Sequence, residues 1–103
     1  MERSAKVKLF YSMQAKEQLV NIKEYISKSS PRSARDYLIK IKSKIKLLAS
    51  YPHIGKINST LDIENIRDFV VFGYKIIYKI NKDNILILAI YKYIDFDESK
   101  LDI

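Results

Sequence analysis

Cysteine and tryptophan are absent from the 103 residues, histidine occurs once, and glycine and proline occur twice each. Without cysteine there is no disulfide framework and no thiolate metal site, a composition that fits a reducing compartment. The single histidine, His53, sits in YPHIG, a loop that closes a helix. It has no acid or nucleophile partner in sequence and reads as a surface or structural residue rather than a general base. Long hydrophobic runs are missing too. The longest, ILILAIY, has 7 residues, whereas a membrane-spanning helix needs about 20. The N-terminal MERSAKVKLFYSMQAKEQL is charged and has no apolar core of the secretory kind. The expectation is a soluble, cytoplasmic protein without a membrane partner. There is no internal repeat, no linker, no phosphate-cradling glycine loop, no metal-ligand cluster and no Ser/His/Asp arrangement. One domain over residues 1–103 is expected, with no cofactor and no metal.

What is present is positive charge. The formal net charge is +7. Residues 1–50 hold 12 Lys/Arg against 4 Asp/Glu, whereas residues 51–103 hold 7 against 8. Such asymmetry suits an anionic partner of the first half, whether nucleic acid, a membrane surface or an acidic protein. A solubilising lysine coat explains the same numbers, because net charge speaks to association and not to fold.

Periodicity sets the elements. Val7, Leu9 and Tyr11 alternate with Lys8 and Phe10, a short strand signal. Ala15, Leu19, Ile22 and Ile26 are spaced as one face of a helix, with Ser12 as its N-cap and an end near Ser29. Ser30-Pro31 starts a second helix, a capping serine followed by a proline at the first helical position. Its stripe is Ala34, Leu38, Ile41, Ile45 and Leu48, and Pro52 and Gly55 stop it. So short a connection makes an antiparallel helical hairpin. Residues 56–64 read as a polar loop, 65–72 and 74–80 as strands around Gly73, Asn81 to Asn84 as a turn, and 85–94 as a central strand. The expected fold is α+β: an N-terminal strand, a helical hairpin, then a three-stranded antiparallel meander (β-α-α-β-β-β). The hairpin covers one face of a mostly antiparallel sheet and leaves the other partly open. The tail from residue 95 is acidic.

Arg67 is the chemical oddity, a guanidinium among Ile66, Phe69, Val71, Tyr74, Ile76 and Tyr78. Alternation groups it with Phe69 and Val71 on one face. It reads either as a solvated edge residue paired with Asp68 or Glu64, or as an anchor for phosphate or carboxylate on the open face. Eight tyrosines are many for this length. Those in the strands read as core-edge residues or as stacking platforms for bases. Lys75 and Lys79 share a strand face and with Lys92 make a basic patch. On the second helix Arg35, Lys42 and Lys46 project within roughly 40° of one another. They are either a partner surface or a solvated face whose stems cover the core edge.

The order and spacing of SARDYL, YPHIGK, NIRDF, GYKIIYKI and ILILAIY together resemble the RelE/ParE superfamily of bacterial toxins, over residues 7 to about 93. The resemblance implies the toxin half of a type II toxin–antitoxin pair, of the kind that stabilises plasmids by inhibiting growth. It also implies a small antiparallel sheet with an N-terminal helical hairpin. The implied partner is a cognate antitoxin whose acidic, partly disordered segment wraps the toxin. ParE-like members poison DNA gyrase, and RelE-like members cut mRNA in the ribosomal A site. The helical hairpin, YPHIG and the short tail are closer to ParE. In the RelE-like alternative, an endoribonuclease, Arg67, Lys92 and Tyr93 stand at the catalytic positions. The antitoxin-binding residues are expected among Arg35, Lys42, Lys46, Arg67, Lys75 and Lys79. A third reading is a nucleic-acid-binding module that uses the basic hairpin.

Overall fold

The computed structural model describes residues 7–61 and 63–92. The elements run β1 (Lys8–Tyr11), α1 (Met13–Ser27), α2 (Pro31–Ser50), β2 (Lys56–Ile57), β3 (Ile66–Val71), β4 (Tyr74–Ile80) and β5 (Asn84–Lys92). Both helix starts carry the expected caps: Ser12 Oγ accepts from the Ala15 amide at 3.0 Å, and Ser30 Oγ from the Ser33 amide at 3.1 Å. Each cap satisfies one amide of a first turn that has no partner inside its helix.

One sheet holds the strands in the order β1-β5-β4-β3-β2. β3, β4 and β5 form the expected antiparallel meander. Two features depart from expectation. β1 pairs with β5 in parallel, Leu9 opposite Ile85 and Tyr11 opposite Ile87, so the sheet is mixed. The region expected as a polar loop contains β2, which pairs with β3 at Lys56–Asp68 and Ile57–Arg67. Two residues are too few to show a period of two, so the ladder alone makes this strand. β5 starts at Asn84, and residues 93 and 94, expected in the same strand, lie outside the described residues.

Alternation gives β4 a clear division: Tyr74, Ile76 and Tyr78 are buried toward the helices, while Lys75, Ile77 and Lys79 take the other face. In β5 the register shifts opposite Ile77/Tyr78, and Leu88 is the extra residue. This bulge lets Ile87 and Ile90, three apart, both enter the core. α1 contributes Ala15, Leu19 and Ile22, and α2 contributes Ile41, Ile45 and Leu48 to the same cluster. Burying each such isoleucine or leucine is worth roughly 1.5–3 kcal/mol, so the stripe spacing is what docks the hairpin.

β5 extends beyond β1, and polar side chains of α1 cap that stretch of its edge. Ser12 Oγ donates to Leu88 O at 2.9 Å, and Gln18 Oε1 accepts from the Ile90 amide at 2.6 Å. The β3–β4 turn places both Phe72 (φ 50°) and Gly73 (φ 84°) in the left-handed region, the two-residue connection that matches strand twist. Phenylalanine there is strained. Tyr37 holds it, donating to Phe72 O at 2.6 Å with the two rings 6.0 Å apart.

Candidate partner-binding surface

Arg67 lies directly opposite Tyr78 in the β3–β4 ladder, so its side chain leaves the sheet on the helix-bearing face and not on the open one. There it reaches the turn that follows α2. Its Nη1 donates to Gly55 O at 2.9 Å and to His53 O at 3.5 Å, while Nε is buried without a partner among the described residues. Tyr78 completes the clamp, its hydroxyl donating to Pro52 O at 2.6 Å and accepting from the Gly55 amide at 3.0 Å. On the other face Asp68, 7% exposed, accepts from Asn58 Nδ2 at 2.7 Å and lies 3.6 Å from Lys75 Nζ. Asn58 Oδ1 in turn accepts from the Leu61 amide. The guanidinium among core residues therefore fastens the Pro52–Gly55 turn to the sheet.

Burial pushes the Tyr78 phenol above its ordinary value near 10, and the nearby Asp68 adds to the rise. The Gly55 hydrogen bond and the Arg67 charge oppose it. Burial likewise raises Tyr11. A phenol that keeps its proton in the fold, where the unfolded chain gives it up, contributes stability present below about pH 10 and lost as pH rises past it. Urea midpoints should therefore fall between about pH 9 and about pH 11, and less steeply in Tyr11→Phe and Tyr78→Phe. Variant slopes equal to that of the parent chain would remove these phenols as the cause.

The remaining sequence candidates are distributed over three places. Lys92 pairs with Tyr74, at the opposite end of β4 from Tyr78, four residues or about 13 Å away along the strand. Its ammonium sits 4.9 Å from the Tyr25 ring centroid, beside a pocket of about 390 Å³ between α1 and β5. Arg67 and Lys92 are thus not brought together, and Tyr93 is outside the described residues. Lys75 and Lys79 share the open sheet face with Asp68.

Arg35 and Lys42 do converge. They rim a groove of about 250 Å³ between α1 and α2, whose walls are Leu19, Val20, Leu38 and Ile39. Lys23 of α1 supplies a third cation that the sequence reading did not single out. Lys46 is exposed on α2 but does not line the groove. Val20 and Ile39 are 52% and 60% exposed. Both lie off the apolar stripes of their helices, which is the signal that marks them as surface apolar residues. An apolar trough rimmed by three cations suits an amphipathic segment that carries carboxylates.

A family model described as the ParE toxin of the type II toxin–antitoxin system parDE matches residues 9–92. The chain belongs to the ParE toxin family. The matched span runs from β1 to the last residue of β5, so every described element of this ParE-family toxin lies in it or overlaps it. No sequence among the curated proteins matches. Among solved structures, the chromosomal ParDE toxin–antitoxin system from P. aeruginosa is similar, with a TM-score of 0.72 at 18% identity over 86% of this chain and 98% of that one. The toxin–antitoxin complex RelBE2 from Mycobacterium tuberculosis is similar at a TM-score of 0.60 and 15% identity, over 85% and 99%. These likenesses show that the chain shares the fold of those proteins. Among the described residues, no helix is long and apolar enough to cross a membrane.

Proposed function

We propose that this ParE-family toxin arrests bacterial growth by acting on DNA gyrase, and that a cognate antitoxin silences it by laying an acidic amphipathic segment in the α1/α2 groove. The family match supports the ParE-like branch of the resemblance, the branch whose members poison gyrase. The separation of Arg67 from Lys92, and the engagement of Arg67 with the Pro52–Gly55 turn, weigh against the ribonuclease alternative. Cleavage by 2′-hydroxyl attack needs a base, an acid and a cation around one phosphate. The groove supports the partner reading, since its apolar walls would hold a bound helix while Lys23, Arg35 and Lys42 steer the encounter. Lys46 extends the same positive field along α2, and Lys75 and Lys79 give the open sheet face a second, smaller one.

Induced expression without the antitoxin should stop growth, with filamentous cells and DNA damage while bulk translation continues at first. Co-expression of the neighbouring antitoxin frame should restore growth. Rapid loss of translation with mRNA cut at codon-spaced positions would replace gyrase by the ribosome. For the partner surface, Lys23→Glu/Arg35→Glu/Lys42→Glu should lower the antitoxin association rate roughly tenfold or more at low salt and flatten its salt dependence. An unchanged on-rate would move the docking site elsewhere.

A further inference from the structure

The pocket between α1 and β5 is separate from both the α1/α2 groove and the Arg67 turn. It forms because β1 ends opposite Ile87. Beyond that point β5 has no strand on this side among the described residues, and it faces α1 across a gap of about 390 Å³. Small-ligand clefts measure about 300–1,000 Å³. Gln18, Asn21 and Tyr25 line the gap from α1. Their spacing of 3 and 4 makes them one row of the helix. That row lies on the opposite flank of the core stripe from Val20 and Lys23, which line the groove toward α2. Ile22, Tyr74 and Ile90, all buried, give the pocket a preformed apolar floor.

The polar groups of this pocket favour one kind of ligand. Gln18 already uses its side-chain oxygen to accept from the Ile90 amide at 2.6 Å, so its carboxamide nitrogen is what remains for a ligand, and that nitrogen only donates. Lys92, with Nζ 4.9 Å from the Tyr25 ring centroid, is the one cation among the described lining residues, and none of them is acidic. Tyr25 on α1 and Tyr91 on β5 are both exposed and give the two walls aromatic rings, which pair with another flat ring in offset or edge contact. An aromatic group that carries an anion fits this set. The anion is narrowed further by what the pocket lacks. One ammonium balances a single negative charge, whereas a phosphate monoester carries about −1.5 to −2. Phosphates are held by an arginine fork or by the free amides of a helix start. No arginine lines this pocket, and Gln18 to Tyr25 lie beyond the first turn of α1.

We propose that this pocket binds an aromatic carboxylate, with the ring between Tyr25 and Tyr91 over the apolar floor and the carboxylate accepting from Lys92 Nζ and Gln18 Nε2. The same chemistry comes from a free aromatic acid or from an aromatic residue followed by an acidic one in a peptide. The site rests on neither the gyrase nor the antitoxin reading.

Amide signals of the isotopically enriched full chain report occupancy. The probes are N-acetylphenylalanine, its carboxamide (the ring without the charge), acetate (the charge without the ring) and phenyl phosphate. N-acetylphenylalanine should shift the Gln18 and Asn21 side-chain amides and the Tyr25 and Tyr91 backbone signals saturably, with a Kd on the order of 1 mM for a ligand of this size. The other three should bind at least about tenfold more weakly. Gln18→Glu keeps an oxygen for the Ile90 amide, so the strand edge stays capped, but it replaces the donor by a carboxylate. It should weaken binding of the acid about tenfold or more and leave that of the carboxamide within about twofold. Lys92→Met should remove the preference for acid over carboxamide. A blocked Phe-Glu dipeptide that binds more tightly than the free acid assigns the site to a peptide, and one that binds more weakly assigns it to a small acid. Equal binding of acid and carboxamide, tighter binding of phenyl phosphate, shifts centred on another surface, an acid affinity unmoved by both variants, or no saturation at about ten times the expected Kd would each overturn the proposal.

Discussion

Gly55→Ala is expected to destabilise the chain by about 2–4 kcal/mol, a drop in melting temperature of roughly 10–25 °C. A Cβ at this position would stand 2.4 Å from Asp68 O and 2.8 Å from Tyr78 Oη. Neither neighbour can retreat cheaply. Asp68 lies within the β3–β4 ladder opposite Ile77, and the Tyr78 hydroxyl is bonded to Pro52 O in a fully buried side chain. The turn must move instead. That loosens the Gly55–Tyr78 and Arg67–Gly55 hydrogen bonds together. Overpacking alone costs about 1–3 kcal/mol, and weakening the two hydrogen bonds without breaking them adds about 1 kcal/mol between them. Thermal unfolding followed by circular dichroism checks the value. A change below about 1 kcal/mol would mean that the turn yields without breaking its clamp.

Asp68→Ala should cost about 2–3 kcal/mol, whereas Lys75→Ala should cost under about 1 kcal/mol, although the two residues form an ion pair. The difference lies in burial and reach. Asp68 and Asn58 are both buried, and their 2.7 Å bond is charge-assisted. Truncating Asp68 leaves the buried Asn58 amide without that acceptor and loosens the Leu61 backbone that Asn58 holds. Lys75 is 22% exposed and 3.6 Å from the carboxylate, so water replaces much of what the pair supplies. Urea denaturation of the two variants separates the readings. Equal losses would show the ion pair, and not the Asn58 bond, to be the stabilising contact.

The helical hairpin was legible because its signals are local. Stripes at spacings of 3 and 4, two serine caps and Pro31 all act within one or two turns, and both helices appear where those signals place them. The meander was legible for a similar reason, as β3 and β4 are joined by two residues and β4 and β5 by a turn of Asn and Asp. Two of the groove's three rim cations were visible too, since Arg35 and Lys42 share a face of one helix. Lys23 was not, because only the packing of α1 on α2 sets it beside them.

The sequence by itself determined the order of every element but β2, the α+β class, the basic hairpin with its acidic tail, and the family resemblance that the ParE match bears out. These depend on composition and short-range periodicity. Tertiary structure alone decided the parallel pairing of β1 with β5, the two-residue β2, the bulge at Leu88 and the face that Arg67 takes. The last case shows the reason. Ile66 and Val70 on one side of β3 are as apolar as Phe69 and Val71 on the other, so alternation divides the strand without saying which side is covered. That choice is made by contacts across 12 to 14 residues, Arg67 with Gly55 and His53, and across more than 70, Gln18 with Ile90 and Ser12 with Leu88. No local period encodes such contacts. They form only when the hairpin, the turn after it and the sheet close on one another.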